Sequence, residues 1–97
     1  MFQHIGMLTL VDEATAENAD AIVAGLLALP ATIPGLVEAK VDRDAGLTPG
    51  NATLVFHLTF ADQAAWEGYR THPDHVAVIK ERIAPVLAAK TFVQVAA

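Results

Sequence analysis

Three features of the sequence predict an α+β domain of order β-α-β-β-α-α-β. Four runs alternate as strands do, apolar stripes at spacings of three and four lie between them, and a proline divides the second helical region in two. Phe2 to Val11 sets Gln3, Ile5, Met7 and Thr9 against Phe2, His4, Gly6, Leu8 and Leu10. Apolar residues fall in both sets, the pattern of a strand covered on both faces. Thr15 is placed to cap a helix running to about Leu29, with Glu17 in its first turn and a stripe of Ile22, Val23, Leu26, Leu27 and Leu29. Pro30 and the turn Ile33-Pro34-Gly35 stop it. From Leu36 to Arg43, Val37, Ala39 and Val41 alternate with Glu38, Lys40 and Asp42, which predicts a strand with one wet face near a sheet edge. Asp44 to Asn51, with Gly46, Pro49 and Gly50, reads as a loop. Thr53 to Phe60 is the most strand-like run and is expected to be central, with Leu54, Phe56, Leu58 and Phe60 opposite Val55, His57 and Thr59.

Asp62 can cap a short helix through about Arg70, in which Trp66 and Tyr69 share a face. Pro73 opens the next helix, predicted to run to about Leu87, with Val76, Ile79 and Ile83 as its stripe and Pro85 disturbing its end. Thr91 to Val95 closes the chain as a fourth strand. No repeat or linker interrupts this order, so residues 1–97 are expected to form one domain. The order is that of the split-βαβ, or ferredoxin-like, protomer: a four-stranded antiparallel sheet with helices on one face. The other face would carry Ile5, Met7, Thr9, Val55, His57 and Thr59. That set is too apolar to leave in water, since each large apolar side chain gains roughly 1.5–3 kcal/mol on burial. A second copy is the simplest cover, so the chain is expected to be a homodimer whose sheets pack face to face.

Composition narrows the partners. A chain of 97 residues buries only about 60–65% of its unfolded surface, so a partner chain would help a marginal core. The 54% hydrophobic content excludes a disordered chain. A net charge of −5, with six scattered Lys and Arg, argues against nucleic acid and anionic membranes, both of which need a basic footprint. The absence of cysteine excludes disulfides, thiolate nucleophiles and Cys-ligated metals. No apolar stretch reaches the roughly 18 residues of a membrane span, and no basic n-region precedes an apolar one, so the expected location is cytoplasmic.

The densest chemistry lies in Tyr69-Arg70-Thr71-His72-Pro73-Asp74-His75, a joint between two helices. Pro73 biases His72 to an extended backbone in the N-cap region, Asp74 suits the helix dipole, and His75 falls in the first turn.

These features together resemble the stress-responsive dimeric α/β-barrel (Dabb) family. The matching residues are His4 in the first strand, Leu29-Pro30-x-x-Ile33-Pro34-Gly35, Leu58-Thr59-Phe60, and Tyr69-x-x-His72-Pro73-x-His75-Val76. The resemblance spans nearly the whole chain. It implies a ferredoxin-like protomer that dimerises into an α/β barrel, often without an established activity. Some plant members are polyketide cyclases that act without a cofactor through the tyrosine and second histidine of this element; by position these are Tyr69 and His75. The cyclases line their pocket with bulky aromatics from the first helix, where this chain has Ala21, Ile22, Ala24 and Gly25, so a cavity of another shape is expected.

A cofactor-free aldol or isomerisation step needs a base for a carbon-bound proton and a hydrogen-bond donor for the developing oxyanion. His75 and Tyr69 are the right types for these roles, and the helix N-terminus is expected to keep His75 neutral. The competing expectation is that His75 satisfies backbone groups at the joint while Tyr69 packs against Trp66. A ligand pocket between helices and sheet is expected to draw on His4, Leu8, Leu54 and Phe56 from the strands and on His72, Val76 and Ile79 from the helical side. His4 can equally be a core histidine with a satisfied ring nitrogen, and His57 is expected to make a hydrogen bond inside the dimer. Trp66, Phe56, Phe60 and Met7 read as packing residues. No metal or other cofactor is expected, because the proline puts His72 outside the helix that carries His75 and no cysteine completes a ligand set. Two functions follow: binding of a hydrophobic small molecule, with or without cyclase or lyase turnover, and a stress-associated structural role without catalysis.

Overall fold

The computed structural model describes all 97 residues. Its elements are β1 (Phe2–Leu10), α1 (Ala16–Ala28), β2 (Leu36–Arg43), β3 (Leu54–Phe60), α2 (Gln63–Thr71), α3 (Pro73–Val78) and β4 (Leu87–Ala96). The strands form one antiparallel sheet in the order β2-β3-β1-β4, giving the α+β, ferredoxin-like protomer that the patterning predicts. As expected, β2 lies at an edge and β3 is internal.

Alternation decides which side chains meet the helices. Phe2, Leu8 and Leu10 of β1 and Leu54, Phe56, Leu58 and Phe60 of β3 are buried in one cluster with Ile22 and Leu26 of α1. The register sets His4 opposite Leu58, which puts this histidine on the helix side. α1 begins at the predicted cap: Thr15 Oγ1 accepts from the Asn18 N–H at 3.2 Å and Asn18 Oδ1 accepts from the Thr15 N–H at 2.9 Å, a reciprocal capping box.

The second crossover departs from the single long helix expected from Pro73 to about Leu87. α3 ends at Val78, Ile79–Ile83 widens into a π-turn in which the Ala84 N–H donates to the Ile79 carbonyl, and Ala84–Val86 tightens into 3₁₀ geometry. Pro85 has no N–H to return to the carbonyl of Glu81 and its ring crowds that turn, so the regular ladder fails before it. The chain then extends at Leu87, which pairs with Leu10, so β4 begins four residues before the expected Thr91. Arg82 Nη1 donates to the Ala21 carbonyl at 2.7 Å and ties the π-turn to α1. Gly25 allows that approach, since a Cβ there would stand 3.0 Å from Arg82 Cδ.

The opposite sheet face has no helix over it. Ile5 stands between His57 and Val93, and Met7 between Val55 and Thr91. Met7, Val93 and Val95 are 46, 52 and 40% exposed, a concentration of apolar surface on one side of the sheet.

Candidate active site

The site is assembled by the turn between α2 and α3. Asp62 caps α2 by accepting from the Ala65 N–H at 2.8 Å, and α2 brings Tyr69 into the core at 3% exposure. At His72 the backbone is extended (φ −65°, ψ 134°), as a residue before proline should be, and the helix stops. The His72 N–H closes α2 on the Tyr69 carbonyl at 3.1 Å, while its Nδ1 accepts from the Asp74 N–H at 3.1 Å and caps α3. The chain reverses and sets the His75 imidazole on the Tyr69 ring, centroids 3.8 Å apart and planes 28° from parallel. On its other flank Tyr69 meets Phe60, at 5.1 Å between centroids, and no aromatic pairing with Trp66 forms.

His4 reaches the same place from β1, with its ring centroid 6.1 Å from that of Tyr69. Gln94, its register partner on β4, lies with Nε2 2.9 Å from His4 Nδ1. With the amide donating to Nδ1, the imidazole keeps its own proton on Nε2. Burial, and then the neighbouring His75, lower the His4 pKa to about 4. Burial also lowers the pKa of His75; the carbonyls of Arg70 and Tyr69 pull the other way, and His72 adds a smaller push downward. Burial is thus the main reason His75 is held neutral, ahead of the dipole of a helix only six residues long. Burial pushes the Tyr69 phenol well above its ordinary value. At neutral pH the two imidazoles are therefore uncharged, each with a single ring proton, and the phenol keeps its proton. Nδ1 of His75 is buried and makes no hydrogen bond of good geometry, although the Arg70 and Tyr69 carbonyls lie near enough to favour its charged form; Nε2 is the nitrogen left to reach a ligand.

These groups border a cavity of about 540 Å³ between the helices and the sheet. His4, Leu8, Phe56, Phe92 and Gln94 supply its sheet wall, and Trp66, Tyr69, Arg70 and His75 form one side. Leu26 from α1, Ile79, Ile83 and Ala84 from the second crossover, and Leu87 and Lys90 from the start of β4 complete it. Of the residues singled out from sequence, His4, Leu8, Phe56, Tyr69, His75 and Ile79 are brought together here, whereas Leu54, His72 and Val76 are not. Leu54 packs into the solid core one strand step beyond Phe56, the His72 ring is occupied in capping, and Val76 lies outside the cavity at 37% exposure. α1 contributes Leu26 rather than its small residues: Ile22 is fully buried in the core, and Gly25 accommodates Arg82.

Trp66, Arg70, Lys90, Phe92 and Gln94 are lining residues that the sequence reading missed. The signal for the last three was the alternation of Lys90, Phe92 and Gln94 against Thr91, Val93 and Val95. Trp66 Nε1 is buried and unpartnered, like His75 Nδ1. His57 lies on the uncovered face, where its buried Nδ1 has no partner within the chain. No three His, Asp or Glu side chains converge as a metal-ligand set, and no helix is long and apolar enough to cross a membrane.

A ferredoxin-like protomer with a cavity on the helix side and a bare apolar sheet face defines the class of protein. The profile of Dabb, the stress responsive A/B barrel domain, matches residues 2–95, and the chain belongs to that family. A dimeric ferredoxin-like protein of unknown function from Thermobifida fusca is 31% identical, with a TM-score of 0.87 over 99% of this chain and 90% of that one. A Dabb family protein with a ferredoxin-like fold from Mesorhizobium loti is 24% identical, with a TM-score of 0.80 over 99 and 95% of the two chains. A hydroxynitrile lyase from Passiflora edulis shares the fold at 19% identity, with a TM-score of 0.83 over 97 and 90%. None of the curated proteins matches the chain.

Proposed function

We propose that this chain forms a homodimer through its bare sheet face and binds a hydrophobic small molecule in the cavity on the other side. The observation that carries the ligand reading is an open, mostly apolar space of about 540 Å³ reached by both Tyr69 and His75, within the range of small-molecule sites. A structural protein would gain stability by filling that space. Dimerisation is supported by the exposed Met7, Val93 and Val95 and by the dimeric description of the Thermobifida fusca protein.

A second reading, cofactor-independent cyclisation or carbon–carbon lysis, is favoured by the Tyr69–His75 stack and its protonation states. Neutral His75 would remove a proton through Nε2, and the Tyr69 hydroxyl would donate a hydrogen bond to the oxygen that gains charge. His4, held by Gln94, forms part of the wall beside them.

The test uses Trp66, the only tryptophan in the chain and a wall of the cavity, as the reporter of binding. Apolar ligands should change its fluorescence saturably. Tyr69→Phe keeps the ring and its stacking, so it should retain binding; His75→Ala should also fold. Cyclisation of a poly-β-ketone and cleavage of an aromatic hydroxynitrile are the turnover assays. Turnover by the parent lost in both variants supports the catalytic reading, and retained turnover in His75→Ala excludes it. Failure of every apolar ligand to saturate the Trp66 signal would overturn the binding reading.

A further inference from the structure

We infer that the cavity selects an amphipathic anion, a hydrophobic carboxylate whose charged head lies at the mouth beside Arg70 with its apolar body against Leu8, Leu26, Phe56 and Ile83. The inference rests on the small-molecule reading above and names the class of that molecule.

The charge distribution carries it. The chain has eleven Asp and Glu against six Lys and Arg, so its overall field repels anions. Around the cavity the balance reverses: Arg70 and Lys90 line it and no carboxylate does. Elsewhere Arg43 pairs with Asp20, Lys40 with Asp42, and Arg82 is taken by the Ala21 carbonyl. Arg70 and Lys90 have no carboxylate partner. Each is held over an aromatic wall instead, Arg70 Cζ 5.2 Å from the Trp66 ring centroid and Lys90 Nζ 5.5 Å from that of Phe92. A cation stacked in this way keeps its charge and donors available beside a low-dielectric hollow, where a counter-charge is worth more than in open water.

The two cations stand over different rings of the wall, Arg70 over Trp66 on α2 and Lys90 over Phe92 on β4. Arg70, with its planar fork, suits a carboxylate, and Lys90 adds to the attracting field.

The pair 4-phenylbutyrate and 4-phenylbutan-1-ol differs at the head alone. Titrated into the whole protein at pH 7 and low salt with Trp66 fluorescence as readout, the acid should bind about tenfold more tightly than the alcohol. Arg70→Gln should remove most of that preference and Lys90→Gln part of it. Lys80→Gln, the same loss of charge outside the cavity, should leave it intact. Added salt should narrow the gap in the parent protein. Equal binding of acid and alcohol, or an equal effect of Lys80→Gln and Arg70→Gln, would overturn the anion inference while leaving the cavity reading standing. Binding of neither overturns both.

Discussion

The two faces of the sheet are made from the same strands by alternate residues, yet they end in different states. The helix face carries Leu8, Leu54, Leu58 and Phe60, all nearly inaccessible, and is sealed by this chain's own helices. The other face carries Ile5, Met7, Val93 and Val95 and is left bare. One face is thus stabilised by intramolecular packing at any concentration, whereas the other can be covered only by mass action. The cavity belongs to the first face, but it opens where β4 presents Lys90, Phe92 and Gln94 instead of aliphatic residues.

Substitutions on the two faces should therefore differ in kind. Phe60→Ala removes a fully buried ring and should cost about 3–5 kcal/mol in urea unfolding, by the same amount at every protein concentration. Val93→Glu places a charge on the bare face, halfway along the edge strand β4 and beside Ile5. It should weaken the dimer by roughly 100-fold or more, about 3 kcal/mol, while leaving the far-UV spectrum of the monomer intact. Sedimentation equilibrium reads the difference. A Val93→Glu protein that stays dimeric would show that this face is not the interface.

Acid should act on the helix face. His4 has a folded pKa of about 4 against an ordinary 6.5, so between these values the unfolded chain binds the extra proton. The contribution is present above pH 6.5 and is lost as pH falls towards 4. The loss should be about 2 kcal/mol, less than full conversion of the shift because the cavity leaves the ring within reach of water. His75, also lowered, adds to the trend in the same direction. His4→Gln should flatten the stability profile between pH 6.5 and 5, before most carboxylates titrate, and an unchanged slope there would contradict the assignment.

Strand alternation made the two-faced sheet legible, down to His4 falling on the Leu58 side and β2 at an edge. The helix joint was legible because Pro73 acts locally on His72. What escaped is what depends on distant pairing. Leu87, Ala88, Ala89 and Lys90 are all good helix formers, and only their pairing with Leu10, Thr9 and Leu8 makes them a strand. Missing that start hid Leu87 and Lys90 as parts of the cavity wall, whereas Phe92 and Gln94 fell within the expected strand without being assigned to the helix side. Leu54 and Val76 were misplaced for a related reason: a shared face does not say how far along it a hollow extends.

The least costly change bears most directly on that hollow. Gly6 is the one position on the helix face of β1 without a side chain, between His4 and Leu8. A Cβ there would stand 2.4 Å from Phe56 Cζ and 2.6 Å from Phe92 Cδ1, both rings of the cavity wall. Glycine weakens a strand, so its presence fits a place where other groups come close. Gly6→Ala should regain about 0.5–1 kcal/mol of chain entropy but force both rings aside at a cost of about 1–3 kcal/mol, for a net loss near 1 kcal/mol. Both rings line the cavity, so their displacement should reshape it, and ligand affinity measured through Trp66 should fall by more than the small loss of stability accounts for. A Gly6→Ala protein that binds as the parent does would mean that the rings move elsewhere and that the open space does not depend on this residue.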